Sequence, residues 1–243
     1  MDGIHALYHY DATYILVLIG ALLCLLASAR VKTAYRKYLK VRSASGMTGA
    51  EVAERILKQN GIVDVQIRQV GGEMTDHYDP SRHVVNLSEE VYNGTSIAAV
   101  SIAAHECGHV VQHNTGYLPL NIRSALVPAA NIGAKLGIPM IVAGLLIGSL
   151  IHAGSFGLLL AQIGVFAFAL GVLFQIVTLP VEFDASGRAL VMLRDYGILI
   201  EEEQGMAKSM LDAAAMTYVA AAASSILQLL RLLLIVRNSK SRD

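Results

Sequence analysis

The fold of this chain is decided by positions 136–181, which read LGIPMIVAGLLIGSLIHAGSFGLLLAQIGVFAFALGVLFQIVTLPV. These 46 consecutive residues contain no Asp, Glu, Lys or Arg. At about 1.5 Å per residue, a continuous helix of this length would reach about 69 Å, which is too long for one crossing of a bilayer and enough for two. The stretch therefore predicts a hairpin of two transmembrane helices, with its turn at His152-Ala153-Gly154-Ser155.

A second apolar run occupies positions 12–29, between Asp11 and Arg30, and reads ATYILVLIGALLCLLASA. Eighteen residues span about 27 Å as helix, close to the hydrocarbon thickness of a bilayer. The small residues at its end resemble a signal-peptide cleavage site. The first ten residues contain no Lys or Arg, however, whereas a signal peptide begins with a positive region. We therefore expect an N-terminal transmembrane helix.

The charges beside these runs predict the topology. Lys135 lies at the mouth of the hairpin, and cytoplasmic flanks of membrane helices carry an excess of Lys and Arg. The polar region after the first run is therefore expected in the cytoplasm and the N-terminus outside. Six basic residues, with no acid among them, follow the first run: Arg30, Lys32, Arg36, Lys37, Lys40 and Arg42.

The last apolar run, 213–230, leaves two interpretations open. A fourth span here would place the basic residues that follow it on the external side, against the usual charge rule. Either the rule is broken, or this helix packs against the others without crossing. The basic residues concerned are Arg231, Arg237, Lys240 and Arg242.

Composition agrees with a membrane protein and excludes several other classes. The chain is 54% hydrophobic and 16% charged, against roughly 25% charged residues in soluble domains. Its 19 basic and 19 acidic residues balance, so no large field favours binding to nucleic acid. Two cysteines, Cys24 and Cys107, are too few for a disulfide framework or a four-cysteine metal site.

The polar region 30–125 shows the features of a small α+β unit. Its predicted elements are a helix capped by Thr48 that ends near Gln59, a strand over 63–70, a loop over 71–80, a strand over 82–87 and a helix from about Thr95.

The chemical motif is His105-Glu106-Cys107-Gly108-His109, inside the last of these helices. The i, i+4 spacing places both imidazoles on one helix face, where they can bind one Zn²⁺. Glu106 can then act as general base on an attacking water. The apolar flanks of the motif predict a buried helix, where ionisable groups without partners are costly. This favours a metal site over a chance match.

A catalytic zinc needs a third protein ligand. His113 lies one turn too far along the helix, so a substrate contact or an inert surface position suits it better. Glu182 is the better candidate, because it directly follows the hairpin that would return it to the side of His105. The alternative for Glu182 is a favourable glutamate at a helix N-terminus after Pro180.

Several motifs together resemble the YugP-type membrane zinc metallopeptidases of bacteria, over nearly the whole chain. They are HECGH at 105–109, DHYDP at 76–80, VVNLS at 84–88 and PVEFDAS at 180–186. The HtpX and CAAX-protease gluzincins are more distantly similar. The resemblance implies a mainly α membrane protein, in which transmembrane helices accompany a small α+β zincin-like catalytic domain with a HExxH helix. It further implies a bacterial plasma membrane location.

The resemblance also implies a site, in which zinc is bound by His105, His109 and Glu182 and Glu106 is the base. In the distant relatives an Asp follows the ligand glutamate by four residues, whereas this chain has Ser186 there. Asp184 is expected on another helix face. The partner that orients the zinc histidines is therefore left open.

The expected organisation has five parts: an N-terminal transmembrane helix at 1–29, the cytoplasmic catalytic region at 30–125, the transmembrane hairpin at 126–180, a cytoplasmic helical segment with the third ligand at 181–212, and a C-terminal apolar helix with a basic tail at 213–243. The expected chemistry is hydrolysis of a peptide or protein substrate beside the lipid bilayer.

Candidates for the donor that stabilises the reaction's oxyanion are Tyr78, His77, His113 and Arg188. The strand around 84–86 is expected to be the edge on which a substrate pairs. Two rival functions remain. One is a site-2-type intramembrane protease, which normally supplies an aspartate from a later span. The other is a non-catalytic membrane scaffold with a structural metal site.

Overall fold

A computed structural model describes residues 13–150 and 154–240, so positions 152 and 153 of the predicted hairpin turn lie outside the described residues. The helices are α1 (Tyr14–Tyr38), α2 (Gly49–Gln59), α3 (Glu89–Tyr92), α4 (Ile97–Asn114), α5 (Leu118–Leu150), α6 (Gly154–Asp195) and α7 (Glu201–Lys240). The strands are β1 (Gln66–Val70), β2 (His77–Asp79) and β3 (Val84–Ser88).

Four of these helices, α1, α5, α6 and α7, are long and apolar enough to cross a membrane. This confirms a mainly helical protein with several candidate spans. The C-terminal apolar run belongs to α7, whose 40 residues have the length that a crossing needs.

Helix α6 continues through Pro180 without a break and ends at Asp195. Proline is accommodated inside apolar helices where neighbouring groups satisfy the freed carbonyl. Glu182 therefore lies in a helix interior, and the alternative that placed it at a helix N-terminus is wrong.

The chain divides into two compact units. The helical unit comprises the described parts of 1–25, 126–175 and 220–243. In it, α5 and α6 approach closely through glycine: a Cβ on Gly144 would lie 2.5 Å from the carbonyl oxygen of Gly157. Small residues allow such close contact between membrane helices. A small apolar cluster that includes Ile141, Val165 and Leu232 is buried in the same unit.

The site-bearing unit comprises 26–125 and 176–219. Its sheet has the order β1-β3-β2, in which β3 pairs parallel with β1 and antiparallel with β2. The expectation that the strand around 84–86 is an edge is therefore wrong, since β3 is paired on both sides. The edges are β1 and β2.

Strand β2 lies inside the segment expected to be a loop, which is a second correction. It is only three residues long, carries His77 and Asp79 at its ends and is followed by Pro80. Such a segment has almost no strand pattern of its own. It is a strand because Tyr78 pairs with Val85 of β3.

Helix α4 is the centre of this unit. It is almost entirely buried and packs against α2 and α3. Ser96 caps its N-terminus by accepting a hydrogen bond from the amide of Ala99. The predicted cap of α2 is confirmed, because Thr48 and Glu51 form a reciprocal capping box.

Candidate metal centre

The close approach of α4 and α6 depends on Gly108. A Cβ at this position would lie 2.5 Å from the carbonyl oxygen of Ala185. Only glycine allows the two backbones to come this near without displacement. This contact orients the HECGH motif of α4 toward Glu182 and Ser186 on α6.

Three ligand atoms meet where these helices approach. Glu182 Oε2 lies 3.3 Å from His105 Nε2 and 3.6 Å from His109 Nε2. One ligand atom from each of the three residues lies within 4.8 Å of the others. The structure thus brings together the three residues that the sequence suggested as ligands.

This donor set suits zinc. Ligand atoms placed about 2 Å from a tetrahedral ion are about 3.3 Å apart, close to the separations found here. Glu182 is only 2% exposed, and its Oε2 has no hydrogen-bond partner among the described residues. An unpartnered buried carboxylate oxygen is costly, and a metal ion between it and the two imidazoles would remove that cost.

Gln112 determines which ring nitrogen of His109 carries a proton. The Gln112 Nε2 group donates to the carbonyl of Val181 and to Asp184 Oδ2, each at 2.8 Å. Both partners are acceptors, so the amide orientation is determined and Oε1 faces His109 Nδ1 at 3.0 Å. Nδ1 must then carry the proton, which leaves the Nε2 lone pair free for a metal.

Ser186 has the corresponding position beside His105, with its Oγ 3.1 Å from His105 Nδ1. Asp184 does not touch either histidine, but it accepts from Gln112 and from Arg188 Nε, the latter at 2.6 Å. The partners of the two imidazoles, left open by the sequence, are therefore Ser186 for His105 and Gln112 for His109.

Arg123 of α5 contacts the other carboxylate oxygen of Glu182. Its guanidinium lies 3.4 Å from Glu182 Oε1. The two oxygens of the Glu182 carboxylate therefore have different neighbours: Oε1 faces Arg123, and Oε2 faces the two histidines. This orientation presents a single oxygen to the metal position.

Glu106 lies beside the ligands and lines a cavity of about 320 Å³ with His105. Burial raises the pKa of Glu106, and the neighbouring His105 and His109 oppose that shift. A carboxyl group with a raised pKa beside a metal site is suited to proton transfer near neutral pH.

The four predicted oxyanion donors lie elsewhere in the unit, and none of them lines this cavity. The Tyr78 hydroxyl is 2.8 Å from His113 Nδ1. His77 Nδ1 is 2.8 Å from the carbonyl of Thr75. Arg188 pairs with Asp184.

The sequence did not single out Gln112, Arg123 and Tyr218. Gln112 could have been found from its i+3 spacing to His109 on one helix face. Arg123 of α5 and Tyr218 of α7 lie outside the motif helix, and no local pattern marks them. Tyr218 lines the cavity and interacts electrostatically with Glu182 and Glu106.

Four candidate membrane-spanning helices and a His-His-Glu cluster that could hold one metal ion are the features expected of a membrane metalloprotein. The chain belongs to the family described as "Putative neutral zinc metallopeptidase", which matches residues 13–237. It is 42% identical over 231 residues to the "Putative membrane protease YugP" of Bacillus subtilis (strain 168), covering 95% of this chain and 99% of that protein. No solved structure matches the chain significantly. Membership confirms the resemblance noted in the sequence, and the family implies Zn²⁺ as the cofactor.

Proposed function

We propose that this protein is a membrane-embedded zinc metalloendopeptidase of the HExxH gluzincin type. His105, His109 and Glu182 bind the zinc, and Glu106 is the general base. The observation that carries the proposal is the meeting of Glu182 Oε2 with both imidazole Nε2 atoms beside a cavity that also contains Glu106.

In the proposed reaction each residue has one role. A zinc ion held by His105, His109 and Glu182 would supply Lewis-acid chemistry, lowering the pKa of a water toward ~7 and polarising a peptide carbonyl. Glu106 takes the proton from the attacking water and later donates it to the leaving amine. Gln112 and Ser186 orient the two imidazoles, and Arg123 orients Glu182.

Tyr218 is the proposed donor to the developing oxyanion, because its side chain lines the same cavity as Glu106. A hydroxyl already positioned beside the reacting carbonyl stabilises the charge without reorganisation. Tyr218→Phe is expected to lower turnover by about 10²-fold or more, and to weaken zinc binding by no more than about 10–100-fold, because the hydroxyl also interacts with the proposed ligand Glu182.

The proposed setting is the bacterial plasma membrane, with the site open to the cytoplasm and the substrate a peptide or protein segment. The zincin-like arrangement rests on the HExxH helix packed beside a small sheet. A glutamate from α6 as third ligand favours the gluzincin type over the site-2 type, which uses an aspartate. The stretch 136–181 contains no aspartate.

The test compares full-length, detergent-purified parent with Glu106→Gln. The carboxamide cannot accept the water's proton, but it retains the shape of the side chain. We expect zinc content to stay stoichiometric and cleavage of a casein or peptide-mixture substrate to be lost. Equal cleavage by both proteins would refute the assigned base, and no zinc-dependent cleavage by the parent would favour a scaffold.

A further inference from the structure

The cavity beside Glu106 combines apolar walls with a second acidic side chain. Apolar side chains from α1, α4 and α7 form most of the wall, and one further carboxylate, Asp76, is present in addition to Glu106. The apolar members include Val31, Ile102, Met210 and Leu211. A volume of about 320 Å³ accommodates one long side chain.

Asp76 is half-buried, and among the described residues the adjacent His77 is a source of positive charge that favours its ionised form. No Lys or Arg forms an ion pair with it in the part of the chain that the structure describes. Burial raises the pKa of Asp76 and outweighs the hydrogen bonds from Ser88. A carboxylate paired with a cation shows the opposite shift, because the positive charge favours the ionised form.

From this lining we infer that the cavity is a substrate subsite for a cationic nitrogen at the end of an apolar stem. The stem of a Lys or Arg side chain would lie against Val31, Ile102 and Leu211, and its charged end would pair with Asp76. The same chemistry could come from a peptide's N-terminal amine. The inference rests on the proposed function, since it treats the occupant as part of a peptide substrate.

Asp76 also has a structural contact, which the experiment must separate. Its Oδ1 accepts hydrogen bonds from the amide and the hydroxyl of Ser88, at 2.7 and 3.0 Å, and the same hydroxyl lies 3.1 Å from Oδ2. An asparagine carbonyl oxygen can accept both bonds while removing the charge. Asp76→Asn therefore tests the charge and leaves the contact to Ser88 in place.

The first experiment measures binding and needs no turnover. Isothermal titration of the full-length, zinc-loaded protein compares n-pentylguanidine, an Arg side-chain mimic, with the neutral pentanamide. We expect the cation to bind about tenfold more tightly or better, as a charge-assisted bond in a partly buried site allows. Asp76→Asn should abolish this preference, and the exposed neighbour Glu73→Gln should keep it. Equal binding of the two probes by the parent would overturn the inference.

The second experiment identifies the source of the cation. Cleavage sites are mapped by mass spectrometry in a mixture of N-acetylated peptides and in the same mixture with free N-termini. Enrichment of Lys or Arg at one position, lost in Asp76→Asn, assigns the side chain, whereas cleavage dependent on a free N-terminus assigns the amine. If the parent cleaves peptides without depending on Lys or Arg at any position or on a free N-terminus, the cationic subsite is contradicted and the peptidase function is not. If the parent cleaves no peptide but still binds n-pentylguanidine more tightly than pentanamide, only the proposed peptidase function is contradicted.

Discussion

Gln112 Oε1 accepts a hydrogen bond from Nδ1–H of His109 at 3.0 Å, and so determines which ring nitrogen faces Glu182. The amide is itself fixed by donating to Val181 and Asp184 on α6. One side chain thus connects the motif helix to the helix that carries the third ligand.

Replacing Gln112 should weaken zinc binding. Gln112→Met removes the acceptor for His109 while preserving most of the side-chain volume. We expect zinc affinity, measured by competition with a chelator, to fall by about 10–100-fold, as is typical when the partner of a metal-bound histidine is lost. His113→Gln on the same helix is the control and should retain zinc, because His113 contacts Tyr78 rather than the ligands.

Gln112→Glu separates orientation of His109 from simple packing. The carboxylate can still accept the hydrogen bond from His109 Nδ1–H, but it cannot donate to the Val181 carbonyl and it places a negative charge beside Asp184. Zinc affinity should stay within a few-fold of the parent, while the melting temperature falls. Adding Asp184→Asn provides a donor to the new carboxylate and should recover stability. If Glu and Met at this position weaken zinc equally, Gln112 acts only by packing.

A second prediction compares the contribution of Glu182 to zinc binding with those of its neighbours on α6. Glu182→Gln removes the charged oxygen that meets both imidazoles, so zinc should be lost at chelator concentrations that the parent survives. Asp184→Asn and Ser186→Ala remove only supporting contacts and should weaken zinc by about 10–100-fold at most. Zinc retained in Glu182→Gln but lost in Asp184→Asn would assign the ligand to Asp184.

The sequence was sufficient for the features that depend on local spacing. The charge-free length of 136–181 predicted two long apolar helices, which are observed as parts of α5 and α6. The i, i+4 histidines predicted two imidazoles on one face, and their Nε2 atoms do converge on Glu182. The helix lengths and the shared face of the two imidazoles follow from helix geometry, whereas their meeting with Glu182 also depends on the packing of α4 against α6.

The features that the sequence did not predict depend on tertiary contacts. Strand β2 exists only through pairing with β3, so its polar three-residue segment looked like a loop. Asp184 was expected on another helix face, and Ser186 was noted only as a departure from the distant relatives, yet both contact side chains of α4, which Gly108 lets approach closely. The Arg123 contact joins residues 59 positions apart.

A third prediction concerns membrane topology. Single cysteines at Ser45 and Ser155, in a background without Cys24 and Cys107, should label oppositely with an impermeant reagent on intact cells. Position 155 should react from outside, because the basic residues after the first run favour a cytoplasmic position for residue 45. External labelling of position 45 would reverse the topology.

The same approach decides whether α7 crosses. A cysteine appended after Asp243 should label together with position 155 if α7 is a fourth span, since three earlier spans return the chain to the cytoplasm. Protection of that cysteine on intact cells, with labelling after permeabilisation, would leave α7 on the cytoplasmic side. The length of α7 favours crossing.

A fourth prediction addresses why the motif contains glycine at position 108. Gly108→Ala places a methyl group 2.5 Å from the Ala185 carbonyl oxygen, which is backbone and can give way only if α6 moves. We expect a loss of about 1–3 kcal/mol in stability, as for other overpacked sites. Zinc affinity should fall as well, because the same movement withdraws Glu182 from the two histidines.

Gly187→Ala on α6 is the matched control for Gly108→Ala. Its Cβ would meet nothing within 4 Å, and alanine favours helix over glycine by up to about 1 kcal/mol. That variant should be as stable as the parent or more so and should retain zinc. If both alanine variants behave like the parent in thermal unfolding and in chelator competition, the close contact of α4 and α6 at Gly108 does not determine the metal site.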